Sequence, residues 1–508
     1  MIFINSKTRT QRAKLNMVFS LLQQGIALVC GLIIPRLMLR AYGSEANGAV
    51  TSISTFLGYI ALLEGGIAGV ARAALYKPLA DNDAYKISAI MTEIKRFFHC
   101  VGYSFFVYVL VIACSFKHIS HTDAFDWITS FCLVIIISLS TFAQYFIGIS
   151  NTVLIYAAQR QYINNLLNAG CTVINTILTV VLVSIGCNLL TVKLLSSVVF
   201  IARPIILAFI VNKLFVLVPV KSDVSLLKNK WTGLGQHIAY FLHTHTDVVV
   251  LTIFGNLKAV SVYGVYYMVT SAIQNITVSF SSGSEALFGD MYAKNEREKL
   301  RSAFNMYETL VSIVAVVLFG VTMVLLIPFI SLYTKGITDA NYAEPVLGVL
   351  LVIASLIYCL RAPYHNMIIA AGQFKETKAA AYGESIINIL SSIILVIRFG
   401  IVGVAIGTVA ATLYRFVYYA VFLSLHIIQR KIEFFLKRLG VNAVNIVLVY
   451  VTGRLLLVFF NISSYLQWAL VGALVAVVTG LITLIINILF YRNDCFALMN
   501  HLKRRRRA

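Results

Sequence analysis

Residues 16–39, NMVFSLLQQGIALVCGLIIPRLML, hold a single charge, Arg36, and follow a basic run of Lys7, Arg9, Arg12 and Lys14. The stretch exceeds the roughly 20 apolar residues that a helix needs to cross a ~30 Å hydrocarbon core. It is also too long for a signal-peptide core and has no small-residue cleavage site, so it reads as a first membrane span. Further stretches of this kind follow at about 47–70, 97–116, 128–151, 163–186, 189–212, 232–254 and 259–284, then at 307–331, 345–370, 379–397, 400–427, 440–460 and 467–491. Hydrophobic residues make up 59% of the chain and charged residues 12%, with a mean hydropathy of +0.86. A soluble chain carries about a quarter charged residues, so several water-facing domains are excluded. The expected fold is all-α, a polytopic membrane protein of about 14 transmembrane helices.

A net charge of +21 would suit nucleic acid if the basic residues clustered without regard to the spans. They do not. Alternating the connecting segments puts 30 of the 41 Lys and Arg on one side, with the N-terminus, the 71–96, 213–231 and 285–306 loops and the C-terminal tail. Only Arg40, Lys117, Lys193, Lys258, Lys335 and Arg398 fall on the other side. This is the positive-inside bias, which places both termini in the cytoplasm and needs no nucleic-acid partner.

The chain also repeats at a period near 213. Gln24 and Gly43 recur as Gln236 and Gly255, and Asn151, Gln159 and Asn175 recur as Asn366, Gln373 and Asn388. Six spans per repeat make the halves parallel, related by an axis along the membrane normal. The expected layout is an N-lobe at 1–212 (helices 1–6), a cytoplasmic inter-lobe loop at 213–231 and a C-lobe at 232–427 (helices 7–12). An amphipathic interfacial linker follows at 428–439, then two extra helices at 440–491 and a basic cytoplasmic tail at 492–508. No GxxxxGK[ST] sequence is present and no loop could hold a nucleotide-binding domain, so ATP-driven transport within this chain is excluded. Asp81-Asn-Asp83 reads as a solvated loop. The eight scattered cysteines show neither a disulfide framework nor a metal spacing.

Polar residues fall at helical spacing inside several spans: Asn165, Asn168, Thr172, Asn175 and Thr179 in the fifth, Gln236, Tyr240, His243 and Asp247 in the seventh. Such stripes either glue helices together or line a wet cavity. On a helix His245 points nearly opposite to His243 and Asp247, so no three-ligand metal site is expected. Arg203, Arg361 and Arg415 lie near span centres, with Arg36 closer to an outer end. Glu64, Asp247 and Glu384 are acids at comparable depth. A charge at the bilayer centre costs at least ~2.5–3.5 kcal/mol, so these arginines either pair internally or receive an anionic group. An Arg fork suits a phosphate or diphosphate. The expected cavity is therefore lined by Arg36, Arg203, Arg361 and Arg415 with Glu64, and by the polar side chains of Gln24, Gln236, His243 and Gln274.

The run Ile34-Pro-Arg-Leu37, then Tyr42-Gly-Ser-Glu-Ala-Asn-Gly48, Leu62-Leu-Glu-Gly-Gly66 and Ala74-Leu-Tyr-Lys-Pro-Leu79, resembles the Wzx-type lipid-linked oligosaccharide flippases. These belong to the multidrug/oligosaccharidyl-lipid/polysaccharide exporter superfamily. The resemblance implies a protein of the bacterial plasma (inner) membrane. Its cargo would be an undecaprenyl-diphosphate-linked oligosaccharide, moved from the cytoplasmic to the outer leaflet by alternating access for O-antigen or capsule assembly. The lipid bilayer and a polysaccharide polymerase are the implied partners. The same resemblance implies no enzymatic activity and no cofactor beyond a coupling sodium ion or proton. In related flippases the sodium site has counterparts here in Asp247, Glu384 with Asn388, and Val404 with Thr408, with the acid and amide of the eleventh span in reversed order. A multidrug/cation antiporter of the same superfamily is the alternative, and a membrane-embedded glycosyltransferase or polymerase the more distant one.

Overall fold

A computed structural model of the chain describes residues 9–64, 67–220, 234–279, 284–373 and 375–498. Gly65-Gly66, most of the inter-lobe loop and the Lys503–Arg507 tail lie outside the described residues, as do the side chains of Gln236 and His243. The described residues are mostly helical, without strands, and form two compact units, 1–261 and 262–508. Ten helices are long and apolar enough to cross a membrane among these residues.

The first unit begins with α1 (Arg9–Gly58), which joins the first two expected spans through one residue, Gly43, at φ 80°. Only glycine takes that conformation without strain, so a turn between two spans needs no loop there. A 3-10 turn (Tyr59–Glu64) leads to α2 (Ile67–Asp81) and α3 (Ala84–Ser120). The 71–96 segment is therefore helical rather than a loop, broken only at Asn82-Asp83. The Asp83 side chain caps α3 by accepting from the Lys86 backbone N–H at 3.0 Å, and that bond holds its carboxyl below the usual carboxylate range. Next come α4 (Trp127–Ala143), a π turn (Gln144–Gly148) and α5 (Ile149–Ala157), followed by α6 (Gln161–Ser184) and α7 (Leu189–Leu214). The unit closes with α8 (Leu234–Phe254) and the start of α9 (Leu257–Ser279).

The polar stripe of α6 turns inward. Asn165, Asn175 and Thr179 are buried, while Leu166, Ile174 and Ile177 on the other face are exposed. The helix packs against α1 and α7. At its start Asn16 of α1 brackets the α5–α6 turn, donating to the Gln159 carbonyl (3.1 Å) and accepting from the Tyr162 N–H (2.8 Å). The second limb of α1 meets α8 and α9 through a polar zipper. Asn47 donates to Ser261 (2.9 Å), Ser52 bonds Thr252 (2.7 Å) and Lys258 pairs with Glu45 at 3.6 Å. Gly48 permits the approach, since a Cβ there would stand 1.8 Å from the Leu257 carbonyl oxygen. Gly48→Val should cost about 3 kcal/mol or more through this clash, and a lowered melting temperature in detergent would register it.

In the second unit α10 (Ser284–Ala293) and the first turns of α11 (Arg297–Tyr333) occupy the expected 285–306 loop. They are followed by α12 (Pro345–Ala370) and α13 (Lys378–Phe422), which joins two expected spans through Gly400 at φ 54°. Its limbs fold back closely. A Cβ on Gly403 would lie 2.2 Å from the Leu395 carbonyl, and one on Gly407 2.6 Å from the Ser392 hydroxyl. The spacing Gly403-xxx-Gly407 is the small-xxx-small pattern that lets membrane helices approach. A π turn (Leu423–Ile427) precedes α14 (Ile432–Leu457) and α15 (Tyr465–Phe490). The 428–439 segment is not a separate interfacial helix: residues from Ile432 onward are the first turns of α14, and Arg430 and Arg438 are buried. The extra helices α14 and α15 pack on α11, where Gly320 abuts Val449 and Trp468 donates to the Leu325 carbonyl at 3.2 Å.

Candidate functional site

Each unit carries basic residues within its helices, and the two treat them differently. In the second unit Glu384 of α13 is fully buried, with one carboxylate oxygen 2.6 Å from Arg361 of α12 and the other 2.5 Å from Arg415. Arg415 also donates to the Tyr419 hydroxyl at 2.8 Å, and Arg361 lies over the Tyr358 ring at 4.6 Å. The internal-pairing alternative therefore holds for these two arginines. A second cluster surrounds Glu308 of α11, which takes Arg430 at 2.8 Å, Arg438 at 3.6 Å and the Tyr364 hydroxyl. The sequence reading missed this cluster.

The first unit has unpaired cations. Arg203, in the middle of α7, has neither an ion pair nor a hydrogen bond among the described residues, and its Nε is buried without a partner. Ten residues earlier on α7, Lys193 likewise has no acid or hydrogen-bond partner among them. It lines a cavity of about 380 Å³ with Asn47, Thr51, Ser54 and Thr55 of α1 and His245 of α8. Lys193, counted with the basic residues of the outer side, lies within the expected 189–212 span and stands in the second turn of α7, which Asn188 caps by accepting from the Thr191 N–H at 2.8 Å.

The other expected residues are dispersed. Glu64 ends the 3-10 turn and accepts from the Tyr145 hydroxyl at 2.6 Å. Arg36 stands half-buried one residue past Pro35 in α1, Gln24 is exposed on the same helix, and Gln274 is half-buried on α9. Asp247 is buried on α8 in the first unit; Glu384, Asn388 and Thr408 all lie on α13 in the second. The Asn388 side-chain oxygen accepts from Ser392 (3.0 Å), and the Thr408 hydroxyl donates to the Val404 carbonyl (3.1 Å). A sodium ion does not fit this donor set. Both oxygens of Glu384 are engaged by guanidinium groups, which supply the positive charge that the ion would bring. Among the described residues no three metal-ligating side chains converge.

No protein-family model and no curated protein matches the sequence. Solved structures do match in fold. The chain resembles the lipid II flippase MurJ in an inward closed conformation, with a TM-score of 0.69 at 16% identity over 94% of this chain and 99% of that one. It also resembles an inward-facing multidrug resistance MATE family transporter of the MOP superfamily (0.59, 15%, 79% and 95%). A MOP superfamily transporter from Pyrococcus furiosus, described as having a binding pocket of reverse polarity, gives 0.54 at 14% identity over 81% and 96%. The fold is thus that of MurJ- and MATE-like transporters, and these neighbours are transporters and flippases rather than enzymes.

Proposed function

We propose that this protein is a flippase that moves an undecaprenyl-diphosphate-linked oligosaccharide from the cytoplasmic to the outer leaflet of a bacterial inner membrane, where a polymerase takes it for surface polysaccharide. The observation that carries the reading is Arg203, a cation at mid-span without a partner among the described residues. An uncompensated guanidinium at that depth is costly, and a diphosphate offers the bidentate acceptors that would offset the cost. Arg361 and Arg415 are not assigned the role, because both are buried and each is already held by a Glu384 oxygen, although one carboxylate offsets only one of their two charges. The likeness to MurJ over 94% of the chain, against 79% for the MATE transporter, supports a flippase over an antiporter. So does the cavity at Lys193, which has no acid among its lining residues to hold a cationic drug. For ion coupling, Asp247 is the acid we assign, since a cation at Glu384 would have to displace a guanidinium.

The test is a strain lacking the gene with its later polymer enzymes intact. Complete lipid-linked repeat units should accumulate on the cytoplasmic leaflet. Arg203→Ala should insert normally and lower export about tenfold or more, the worth of a charge-assisted hydrogen bond. Near-normal export by that variant would overturn the role of Arg203. Absence of accumulation, with raised sensitivity to cationic drugs, would replace the flippase with the antiporter.

A further inference from the structure

The cavity at Lys193 has a chemistry that a diphosphate does not match. The hydroxyls of Thr51, Ser54 and Thr55 donate to the carbonyls of Asn47, Val50 and Thr51 on their own helix, at 2.7–2.9 Å. The Asn47 amide nitrogen donates to Ser261. With the three hydroxyl protons and one of the two Asn47 amide protons committed, the α1 wall offers the cavity mainly oxygen lone pairs, and Lys193 is the lysine among its lining residues. An acceptor-rich wall repels a bare phosphate but welcomes hydroxyl donors. The Ile34, Pro35 and Met38 side chains add an apolar flank suited to the face of a ring. The matching ligand carries several hydroxyl groups and one anionic group on a small ring.

Position adds a second constraint. Lys193 precedes Arg203 by ten residues on α7, about 15 Å along the axis. That is the length of a short oligosaccharide, not of a headgroup. We infer that the Lys193 cavity is a saccharide subsite selecting an acidic sugar of the cargo, its carboxylate or phosphate on the Lys193 ammonium and its hydroxyls on Thr51, Ser54 and Thr55. The inference rests on the flippase reading for the identity of the cargo, and on the cavity alone for the chemistry of the ligand.

The experiment measures binding to the purified full chain in detergent, with glucuronate, glucose 6-phosphate, glucose and inorganic diphosphate as probes. Wild-type protein should bind at least one acidic sugar at least tenfold more tightly than glucose. The preferred acid identifies a carboxylated or a phosphorylated unit. Lys193→Ala should abolish that preference and Lys193→Arg should keep part of it. Thr51→Val, whose hydroxyl bonds only its own helix, should fold normally and weaken the acidic sugar severalfold. Arg203→Ala should leave acidic-sugar binding intact while losing diphosphate. Equal affinity for glucose and glucuronate, or no sugar binding by a folded protein, would overturn the subsite. Loss of diphosphate rather than sugar on Lys193→Ala would also overturn it. Lys193-dependent binding of an acidic sugar with no diphosphate binding anywhere would keep the subsite and remove the flippase reading.

Discussion

Glu384→Gln is expected to destabilise the protein by about 3–5 kcal/mol, because it strands two guanidinium groups that share one buried carboxylate. A melting temperature in detergent roughly 10 °C lower would follow for a unit of this size. The loss belongs to the unpaired arginines rather than to a missing attraction. The triple change Arg361→Met, Glu384→Leu and Arg415→Met should therefore recover most of it, since apolar side chains of similar volume replace buried ion sets at little net cost. Single changes of Arg361 or Arg415 leave Glu384 with one partner, and their effect should be smaller than that of Glu384→Gln. If Glu384→Gln melts like the wild type, the carboxylate does not hold the two arginines together. Export assays on Arg361 or Arg415 variants thus report folding before they report substrate binding, in contrast to Arg203.

The helices themselves were legible because the signal is additive over twenty residues. Apolar content over such lengths identifies the long helices, and the repeat marker Gly43 is the hinge inside α1. The polar stripe on α6 was legible as a stripe, but its spacing could not say whether it faced a cavity or a neighbouring helix; packing against α1 and α7 decides that. Charges were harder. Depth alone made Arg203, Arg361 and Arg415 look alike, whereas what separates them is whether an acid stands opposite. Glu384 follows Arg361 by 23 residues and precedes Arg415 by 31, pairings set by how α12 meets the two limbs of α13. Lys193 falls inside the expected 189–212 span, but a charge so close to its outer end reads as an outer-side anchor, and the sequence carries no sign that it lines a cavity. The Gly403-xxx-Gly407 spacing is a readable signal for the close return of α13.

The same lesson bears on the segment around Arg430 and Arg438, whose basic, amphipathic character suggests a membrane surface. Both are buried because Glu308, 122 residues from Arg430, lies against them. Arg438 continues the network to Asp494 at 3.7 Å and stacks over the Tyr491 ring at 3.8 Å, so α14 and the segment after α15 are tied to α11 through two acids, Glu308 and Asp494, the second of which also accepts from Thr309 of α11 at 3.4 Å. Glu308→Ala should therefore act beyond its own position. It removes the partner of two buried arginines and of Tyr364, for a loss of about 3–5 kcal/mol. It should also release the residues around Asp494, next to which Cys495 is buried. Maleimide labelling of Cys495 in detergent should rise severalfold in Glu308→Ala, with Glu384→Gln as the control that destabilises the unit elsewhere. Equal labelling of Cys495 in the two variants would mean that the segment follows global unfolding. Selective labelling in Glu308→Ala would show that α11 holds the extra helices by charge as well as by the packing of Gly320 and Trp468.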